Sequence, residues 1–402
     1  MRLGLVVPRY GVDVVGGIEH WLRLLCEHLV SLKEWDVEVF TTCAVSAATW
    51  ADELPPGDHE LHGVAVHRRR SVSGRDPRSG ELNVLIRHGP AAVPDGLAHR
   101  FVELVGPVCP DVLDDAAASA CDLVAVTPYL FWPAVHGAVR LGRRVIFHPA
   151  AHDEPELHLP IMDAVFRAVG GLAYNSYSEK ALVEHTFPIA HLPASVIGAT
   201  VVEGSGDPGV ARAVLGLAPG EPFVLCVGRV ERAKGSHVLA DLWRLYRSRR
   251  PGAPRLVFLG PVHESLESDN DVIVAGRQPE EIKWGALQGC EFAISPSAWE
   301  SFSLVVLEAW LAGVPVVVNR RCAATLEHCE RSQGGLAFFD YADFETITDR
   351  LLADGELRGR LVHNGRSYTE RVFNWSAIVD RYEVLADRIL ARTGSRATIP
   401  PG

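Results

Sequence analysis

The sequence has 402 residues, of which 48% are hydrophobic and 22% are charged, a composition typical of globular proteins. At about 150 residues per domain, this length predicts two or three domains and excludes a single small binding module. The formal net charge of −11 argues against a nucleic-acid-binding protein, which would carry an excess of Lys and Arg. No run of about 18 apolar residues occurs and the opening apolar run is too short for a signal peptide, so we expect a cytoplasmic protein without membrane association.

The cysteines predict neither a disulfide framework nor a zinc site. Eight are present, none in a C-x-x-C pair, at positions 26, 43, 109, 121, 226, 290, 322 and 329. Most stand in apolar segments, which indicates reduced, buried thiols. Cys322 and Cys329, with His328 between them, do not have the spacing of a tetrahedral metal site.

In the first half of the chain, apolar strands alternate with segments of helical period. A strand at 3–8 leads through a glycine loop into an amphipathic helix over 18–32. Further strands are predicted at 36–41, 62–68, 122–127, 144–149 and 171–174, and helices at 157–169 and 176–185. This alternation predicts a parallel sheet with helices on both faces.

The second half repeats this pattern after a stretch rich in Gly and Pro at 203–209, which we interpret as the domain boundary. Strands are predicted at 223–227, 255–259, 272–274, 292–295 and 315–319. Helices are predicted at 236–248, 279–287, 303–312, 342–353, 356–370 and 376–391. The fold class is therefore α/β, with two Rossmann-like, doubly wound domains at 1–200 and 201–375 facing a cleft, and with a loose tail at 393–402.

Two glutamates flank the predicted start of a helix in the second domain. Glu300 follows a strand, Ser303 is placed to cap the helix, and Glu308 lies about 7–8 Å further along it. Free N–H groups at the helix start favour an anion. The pattern is typical of a site for a diphosphate with hydroxyls on both sides, as in a nucleotide-sugar. The alternative is a solvated helix face, although a lone acid among apolar neighbours is costly to bury.

A second group of candidates follows the strand at 223–227. Arg229 and Lys234 stand in a glycine-containing loop before a helix, where phosphate-binding loops occur. They could neutralise a leaving diphosphate. The chain has only four lysines, at 33, 180, 234 and 283, and this rarity argues against a chance surface charge at position 234.

The first domain offers weaker candidates. Gly16 and Gly17 lie between a strand and a helix, but the loop lacks a G-x-G-x-x-G pattern, so dinucleotide redox binding is poorly supported. His148 ends a strand and could hydrogen-bond a sugar hydroxyl, with His152 in the polar loop that follows. Turn glycines and an ordinary core histidine are the alternatives. The basic run at 67–70, with Arg75 and Arg78, is predicted to be a solvated loop or a loop that favours an anionic acceptor.

Together these motifs resemble the retaining glycosyltransferases of glycosyltransferase family 4, which have the GT-B fold. The E-x7-E element falls on Glu300 and Glu308, and the G-R-x4-K-G element runs from Gly228 to Gly235. The glycine loop falls on Gly16 and Gly17, with Glu19 as the following acid, and the strand-end histidine falls on His148. The sequence departs from the family at Ser303, where many members have glycine.

The resemblance implies a role for each candidate. Arg229 and Lys234 would hold the donor diphosphate, Glu300 the sugar and Glu308 the ribose hydroxyls. Other implied donor contacts are Gly228, the loop containing Arg277 near the base, and the backbone of Phe302, Ser303, Leu304 and Val305. His148, as a catalytic residue, and the loop with Gly16 and Gly17 would serve the donor sugar and the acceptor side. Glu19 and His152 would lie on the acceptor side, and the helix at 376–391 would pack back on the first domain.

The resemblance also implies front-face transfer without a metal or other cofactor. The expected partners are a nucleotide-sugar donor, with UDP favoured over GDP, and a small-molecule or glycan acceptor in natural-product or envelope glycan biosynthesis. A sugar-nucleotide epimerase of the same fold and a catalytically silent sugar-nucleotide-binding protein remain open as alternatives.

Overall fold

The computed structural model describes residues 1–14 and 16–394. Its contacts divide the chain into two units: residues 1–199 together with the segment from Trp375 onward, and residues 200–374. Each unit is built on its own sheet. Residues 395–402, most of the tail predicted at 393–402, lie outside the described residues.

The first unit contains eight strands. They are β1 (Arg2–Val6), β2 (Asp36–Thr42), β3 (Gly57–Leu61), β4 (Val64–Arg69), β5 (Leu123–Val126), β6 (Val145–Phe147), β7 (Gly171–Tyr174) and β8 (Ala194–Val196). They form one sheet in the order β3-β4-β2-β1-β5-β6-β7-β8, in which only β3 and β4 pair antiparallel. The central strands are buried on both faces, which explains why their sequences are continuous apolar runs.

Helices cover this sheet. They are α1 (Gly17–Lys33), α2 (Arg78–His88), α3 (Asp95–Val105), α4 (Pro110–Ala118), α5 (Trp132–Leu141), α6 (Ile161–Ala168) and α7 (Tyr177–Thr186). Short 3₁₀ turns lie at Pro90–Ala92, Gly142–Arg144 and Pro155–His158. The core of this unit forms where these helices pack on the central strands.

The prediction of a strand at 62–68 is wrong at its start, because residues 62 and 63 form the turn of a hairpin between β3 and β4. His62 and Gly63 form its two-residue turn with positive φ values of 51° and 80°, which suits the twist of the paired strands. The basic run is also not a solvated loop. His67 and Arg69 lie within β4 and both contact Asp58 across the hairpin, at 2.9 and 3.0 Å. Arg78 begins α2.

The second unit contains six strands. They are β9 (Phe223–Val227), β10 (Arg255–Leu259), β11 (Val272–Val274), β12 (Ala293–Ser295), β13 (Val316–Asn319) and β14 (Gly335–Phe338). All neighbours pair parallel, in the order β11-β10-β9-β12-β13-β14. The strand order reverses between β9 and β12, so the loops that follow these two strands are adjacent at the carboxyl edge of the sheet.

Seven helices cover the second sheet. They are α8 (Pro208–Val214), α9 (Ser236–Arg249), α10 (Glu280–Gly289), α11 (Leu304–Leu311), α12 (Ala323–Ser332), α13 (Tyr341–Ala353) and α14 (Gly355–Val372), with a 3₁₀ turn at Arg232–Lys234. The predicted fold class, an α/β protein with two parallel-sheet domains, is confirmed.

The last helix, α15 (Trp375–Thr393), belongs to the first unit. Trp375 stacks on His28 of α1 with ring centroids 4.0 Å apart. Lys33, at the end of α1, lies 2.6 Å from Asp380 and 2.7 Å from Glu383. Among the described helices, none has the length and apolar character needed to cross a membrane.

Candidate functional site

The loop after β9 approaches its neighbours very closely, and glycines make this possible. Gly235 has a φ of 78°, and a Cβ atom there would lie 2.8 Å from the carbonyl oxygen of Pro296 in the loop after β12. A Cβ atom on Gly260 would lie 2.0 Å from the carbonyl oxygen of Gly228. Gly235 therefore lets the loops after β9 and β12 touch, and Gly260 does the same for the loops after β9 and β10. A side chain at either glycine would push the two loops that meet there apart.

Lys234 and Glu300 meet where these two loops touch. Lys234 lies in the 3₁₀ turn before α9, and its Nζ is 2.8 Å from Glu300 Oε1. Their side chains are only 25% and 22% exposed, so water screens this ion pair less than it would a pair at the surface. The structure thus joins two of the predicted site residues, which are 66 positions apart.

Arg229 lies in the same loop but has a partner within it. Its half-exposed guanidinium is 3.3 Å from Glu231, which also contacts His263 at 3.2 Å. Ser236 secures the loop from the start of α9, since its hydroxyl bonds to the backbone of Glu231 and of Arg229. Of the two predicted cations of this loop, Lys234 is thus paired with Glu300, and Arg229 is the more exposed.

The start of α11 differs from the prediction in one detail. Ser303 occupies the position before the helix, but it has a φ of 77° and makes no capping hydrogen bond. Its predicted role as a side-chain cap is therefore wrong: a capping residue is typically in the extended region, and Ser303 has a left-handed backbone conformation. The N–H groups of the first turn have no side-chain cap, as an anion site requires.

Aromatic packing of Phe302 fixes the loop that leads into α11. Phe302 is 5% exposed, and its ring packs edge-on against His328 and Phe373 at centroid distances of 4.6 and 5.1 Å. Its side chain is therefore in the core, and only its backbone is placed to contact a ligand. Leu304 and Val305, which follow it, are half-buried.

Glu308 pairs with a residue that the sequence did not single out. Its Oε1 is 2.9 Å from Nζ of Lys283 on α10. The two side chains are buried to a similar degree, since Glu308 is 13% exposed and Lys283 is 14% exposed. Burial lowers the pKa of Lys283, but the carboxylates of Glu308 and Glu280 outweigh that effect and raise it. The available signal was the rarity of lysine, since Lys283 is one of four in the chain.

Trp299 immediately precedes Glu300 and is 41% exposed. The other eight tryptophans are buried or half-buried. Ser297 fixes the backbone here, because its hydroxyl donates a 3.0 Å hydrogen bond to the carbonyl of Trp299. Arg277, predicted near the base of a nucleotide, is also exposed and makes no ion pair with any described residue.

In the first unit, the glycine loop serves a buried ion pair. Gly16 precedes α1, and a Cβ atom there would lie 2.0 Å from the Glu19 carboxylate. Gly17 is the first residue of α1. Glu19 is bound by Arg9, whose Nε and Nη2 each lie 2.7 Å from its Oε1. The absence of a side chain at Gly16 thus leaves room for the Glu19 carboxylate.

His148 follows β6 as predicted, and it lies inside the unit. It is 3% exposed, and a 2.9 Å hydrogen bond joins its Nε2 to the hydroxyl of Tyr382 on α15. Burial lowers the pKa of His148 to about 3, so the ring is neutral at pH 7. His152 is half-buried, 3.5 Å from Glu154. The predicted sugar and acceptor contacts of these two histidines stay predictions.

The described residues contain no group of three or more His, Cys, Asp or Glu side chains arranged to hold a metal ion. His328 lies among aromatic rings, and burial lowers its pKa to about 4. Cys322 and Cys329 are buried free thiols.

Comparison with solved structures identifies the fold as that of the GT-B glycosyltransferases. A sucrose-phosphate synthase from Thermosynechococcus elongatus superimposes with a TM-score of 0.70, covering 97% of this chain and 99% of that chain at 19% identity. HepE from Anabaena, solved in complex with UDP and glucose, superimposes with a TM-score of 0.66, covering 96% of this chain and 100% of that chain at 18% identity.

The second unit also matches a family model. Residues 209–368 match "Glycosyl transferases group 1", and this range includes both loops at the Lys234–Glu300 contact.

Several curated relatives are D-inositol 3-phosphate glycosyltransferases. The protein from Nocardia farcinica is 35% identical over 127 residues, which cover 28% of this chain and 28% of that protein. The protein from Stackebrandtia nassauensis is 28% identical over 383 residues, which cover 86% of this chain and 80% of that protein. For the Nocardia farcinica protein and two further relatives with the same name, the matched region spans less than a third of the relative's length.

Proposed function

We propose that this protein is a retaining, metal-independent glycosyltransferase that moves a sugar from a nucleotide-diphosphate sugar to an acceptor hydroxyl. One observation carries the proposal: Lys234 contacts Glu300 at 2.8 Å, at the edge where the sheet order of the second unit reverses. The helix start after Glu300 has no side-chain cap. A cation, a carboxylate and free N–H groups together suit a diphosphate that bears a sugar.

The contact between Lys234 and Glu300 suggests how the donor binds. A diphosphate oxygen would replace Glu300 as the partner of Lys234, and Arg229 would add a second positive charge from the same loop. Glu300 would then be free to accept hydrogen bonds from hydroxyls of the sugar. Glu308 would accept those of the ribose, Arg277 would lie near the base, and Gly228 and the backbone from Phe302 to Val305 would line the diphosphate.

In the transfer step, the bond between the anomeric carbon and the diphosphate oxygen breaks with its electron pair leaving on the phosphate. The acceptor oxygen forms its bond to the anomeric carbon on the same face, and its proton passes to the departing phosphate. Lys234 and Arg229 stabilise the charge that develops there, which is the task a divalent metal performs in other enzymes. No protein carboxylate acts as a nucleophile in this scheme.

The acceptor is proposed from weaker support. Relatives act, by their names, on D-inositol 3-phosphate, so phosphorylated polyols are the first acceptors to test. Glu19 and His152 stay the candidates for the acceptor side, and His148 and the loop with Gly16 and Gly17 stay the candidates for the donor sugar and the acceptor side. For the donor we favour UDP over GDP, and for the pathway natural-product or envelope glycan biosynthesis.

The test is a thermal-shift screen of UDP-sugars and GDP-sugars, followed by a transfer assay with the donor that stabilises the protein most. Ligand binding to the native state raises the melting temperature, so the true donor should stand out. An NMR spectrum of the product shows whether the anomeric configuration is retained. Donor binding without transfer would instead support a silent binding protein, and an altered donor sugar would support an epimerase.

A further inference from the structure

Lys283 connects the second glutamate of the site to a neighbouring helix. It lies in the first turns of α10, and its Nζ contacts Glu308 Oε1 at 2.9 Å and Glu280 Oε2 at 2.7 Å. The two carboxylates differ in their surroundings, because the Glu308 side chain is 13% exposed and the Glu280 side chain is 74% exposed. The contact with Glu308 is therefore the one that water screens least.

Glu308 depends on this lysine for its charge balance. Within the described part of the chain, Lys283 is the one cation that forms an ion pair with it. Its neighbours in α11, Leu307 and Ala309, are fully buried and apolar. Removing one partner of a largely buried ion pair leaves the other charge uncompensated, and its geometry is then no longer defined.

The contact also sets the direction of the carboxylate. Lys283 bonds to Oε1, and the described residues supply no hydrogen-bond donor to Oε2. Lys283 itself is held in place by Glu280 and by Trp284, whose ring centroid is 5.8 Å from its Nζ. Lys283 thus holds Oε1 of Glu308, and Oε2 of Glu308 is left to accept a hydrogen bond from a ligand at the start of α11.

We propose that Lys283 is a positioning residue that holds Glu308 in the orientation needed to accept hydrogen bonds from the ribose hydroxyls of the nucleotide. This inference rests on the proposed function, in which Glu308 faces the ribose. Lys283 does not touch the ligand, so its effect should be specific to the hydroxyls that Glu308 reads. A purely structural lysine would affect all nucleotides alike.

The experiment compares a nucleotide with its 2′-deoxy form by isothermal titration calorimetry. The probe is UDP or GDP, whichever the wild type binds better. We expect the wild type to bind the ribonucleotide about tenfold more tightly than the 2′-deoxy form. In Lys283→Met this ratio should fall below about threefold, because affinity for the ribonucleotide falls while affinity for the 2′-deoxy form stays nearly unchanged.

Further variants control for indirect effects. Glu280→Gln removes the exposed partner of Lys283 and should keep the wild-type ratio. Adding Lys283→Met to Glu308→Gln should change the ratio little further, because the two residues act through one contact. If Lys283→Met is unfolded in a melting experiment, Lys283→Gln takes its place, since it removes the charge but keeps an amide donor.

The outcomes separate the two proposals. A wild type that binds neither UDP nor GDP overturns the proposed function and this inference with it. A wild type that binds the nucleotide, with a lysine variant that keeps the ratio or weakens both forms equally, overturns the inference alone. Equal binding of both forms by the wild type also overturns only the inference, because Glu308 then does not read the 2′-hydroxyl.

Discussion

At the scale of single residues, the site is defined by two ion pairs between its lysines and its glutamates. Lys234 is neutralised by Glu300, and Lys283 by Glu308. The sequence predicted three of these four residues from their spacing. It did not predict that they form pairs, because the partners lie 66 and 25 positions apart on different elements. Such contacts depend on the sheet order, which local patterns do not encode.

Replacing Lys234 tests the charge on the leaving group. We expect Lys234→Ala to reduce turnover by about 10²–10³, because a fixed positive charge next to the developing phosphate charge is lost. The measurement is steady-state turnover with saturating donor. Lys180→Ala, which removes another lysine paired with a glutamate, is the control and should keep wild-type turnover. Wild-type turnover in Lys234→Ala would contradict the proposed role of the loop after β9.

His148 makes stability depend on pH. Its pKa is about 3 in the folded protein because of burial, against about 6.5 in the unfolded chain. Below pH 6.5 the unfolded chain therefore binds a proton that the folded protein excludes, so this contribution is complete above pH 6.5 and is lost as the pH falls towards 3.

We therefore expect the wild type to lose up to about 1.4 kcal/mol of unfolding free energy per pH unit below 6.5 relative to His148→Asn, which cannot titrate. Urea unfolding at pH 7, 6 and 5 measures this difference. His185→Asn replaces an exposed histidine and is the control. Parallel pH profiles for the wild type and His148→Asn would show that His148 titrates normally in the folded protein.

At the scale of elements, regular segments were more predictable than the turns between them. The strands β9, β10 and β11 have the predicted bounds, since each is a short, largely apolar run bounded by Gly, Pro or Asp on at least one side. The helices α3, α4, α5, α8 and α12 were not predicted, and neither was α2. Its Val84 and Leu85 are exposed, so its sequence lacks the apolar stripe that marks an amphipathic helix. Sequence periodicity reports burial, and an element with little burial leaves little signal.

At the start of α11, Ser303 has a backbone conformation that is unfavourable for a residue with a side chain. Ser303 has a φ of 77°, a region that glycine enters freely and other residues enter at a cost. We expect Ser303→Gly to stabilise the protein by about 0.5–1 kcal/mol and Ser303→Val to destabilise it by more. Chemical denaturation measures both. The opposite order would mean that the serine hydroxyl makes a compensating contact.

At the scale of the whole molecule, alternating strands and helices were enough to predict two parallel-sheet domains. The same reasoning could not show that His148 bonds to Tyr382, 234 positions away, because α15 follows the second unit in sequence but belongs to the first. The position of His148 at a strand end is the only signal in the sequence, and it predicts a contact with a sugar. The structure shows a partner that only the three-dimensional fold could supply.

The proposed mechanism also predicts how the whole enzyme responds to metal removal. Because Lys234 and Arg229 supply the positive charge in that mechanism, we expect activity to stay within about twofold after treatment with EDTA and gel filtration. The transfer assay before and after treatment measures this. Complete loss of activity that Mg²⁺ or Mn²⁺ restores would show that a divalent cation performs the step assigned to these side chains.

The exposed indole of Trp299 gives the protein a built-in optical reporter. Eight tryptophans are shielded in whole or in part, and the ninth stands in solvent beside Glu300. Its emission should be the most red-shifted and the most readily quenched by acrylamide. Occupation of the neighbouring carboxylate can thus be followed by fluorescence without any label, and the Trp299→Phe variant provides the blank.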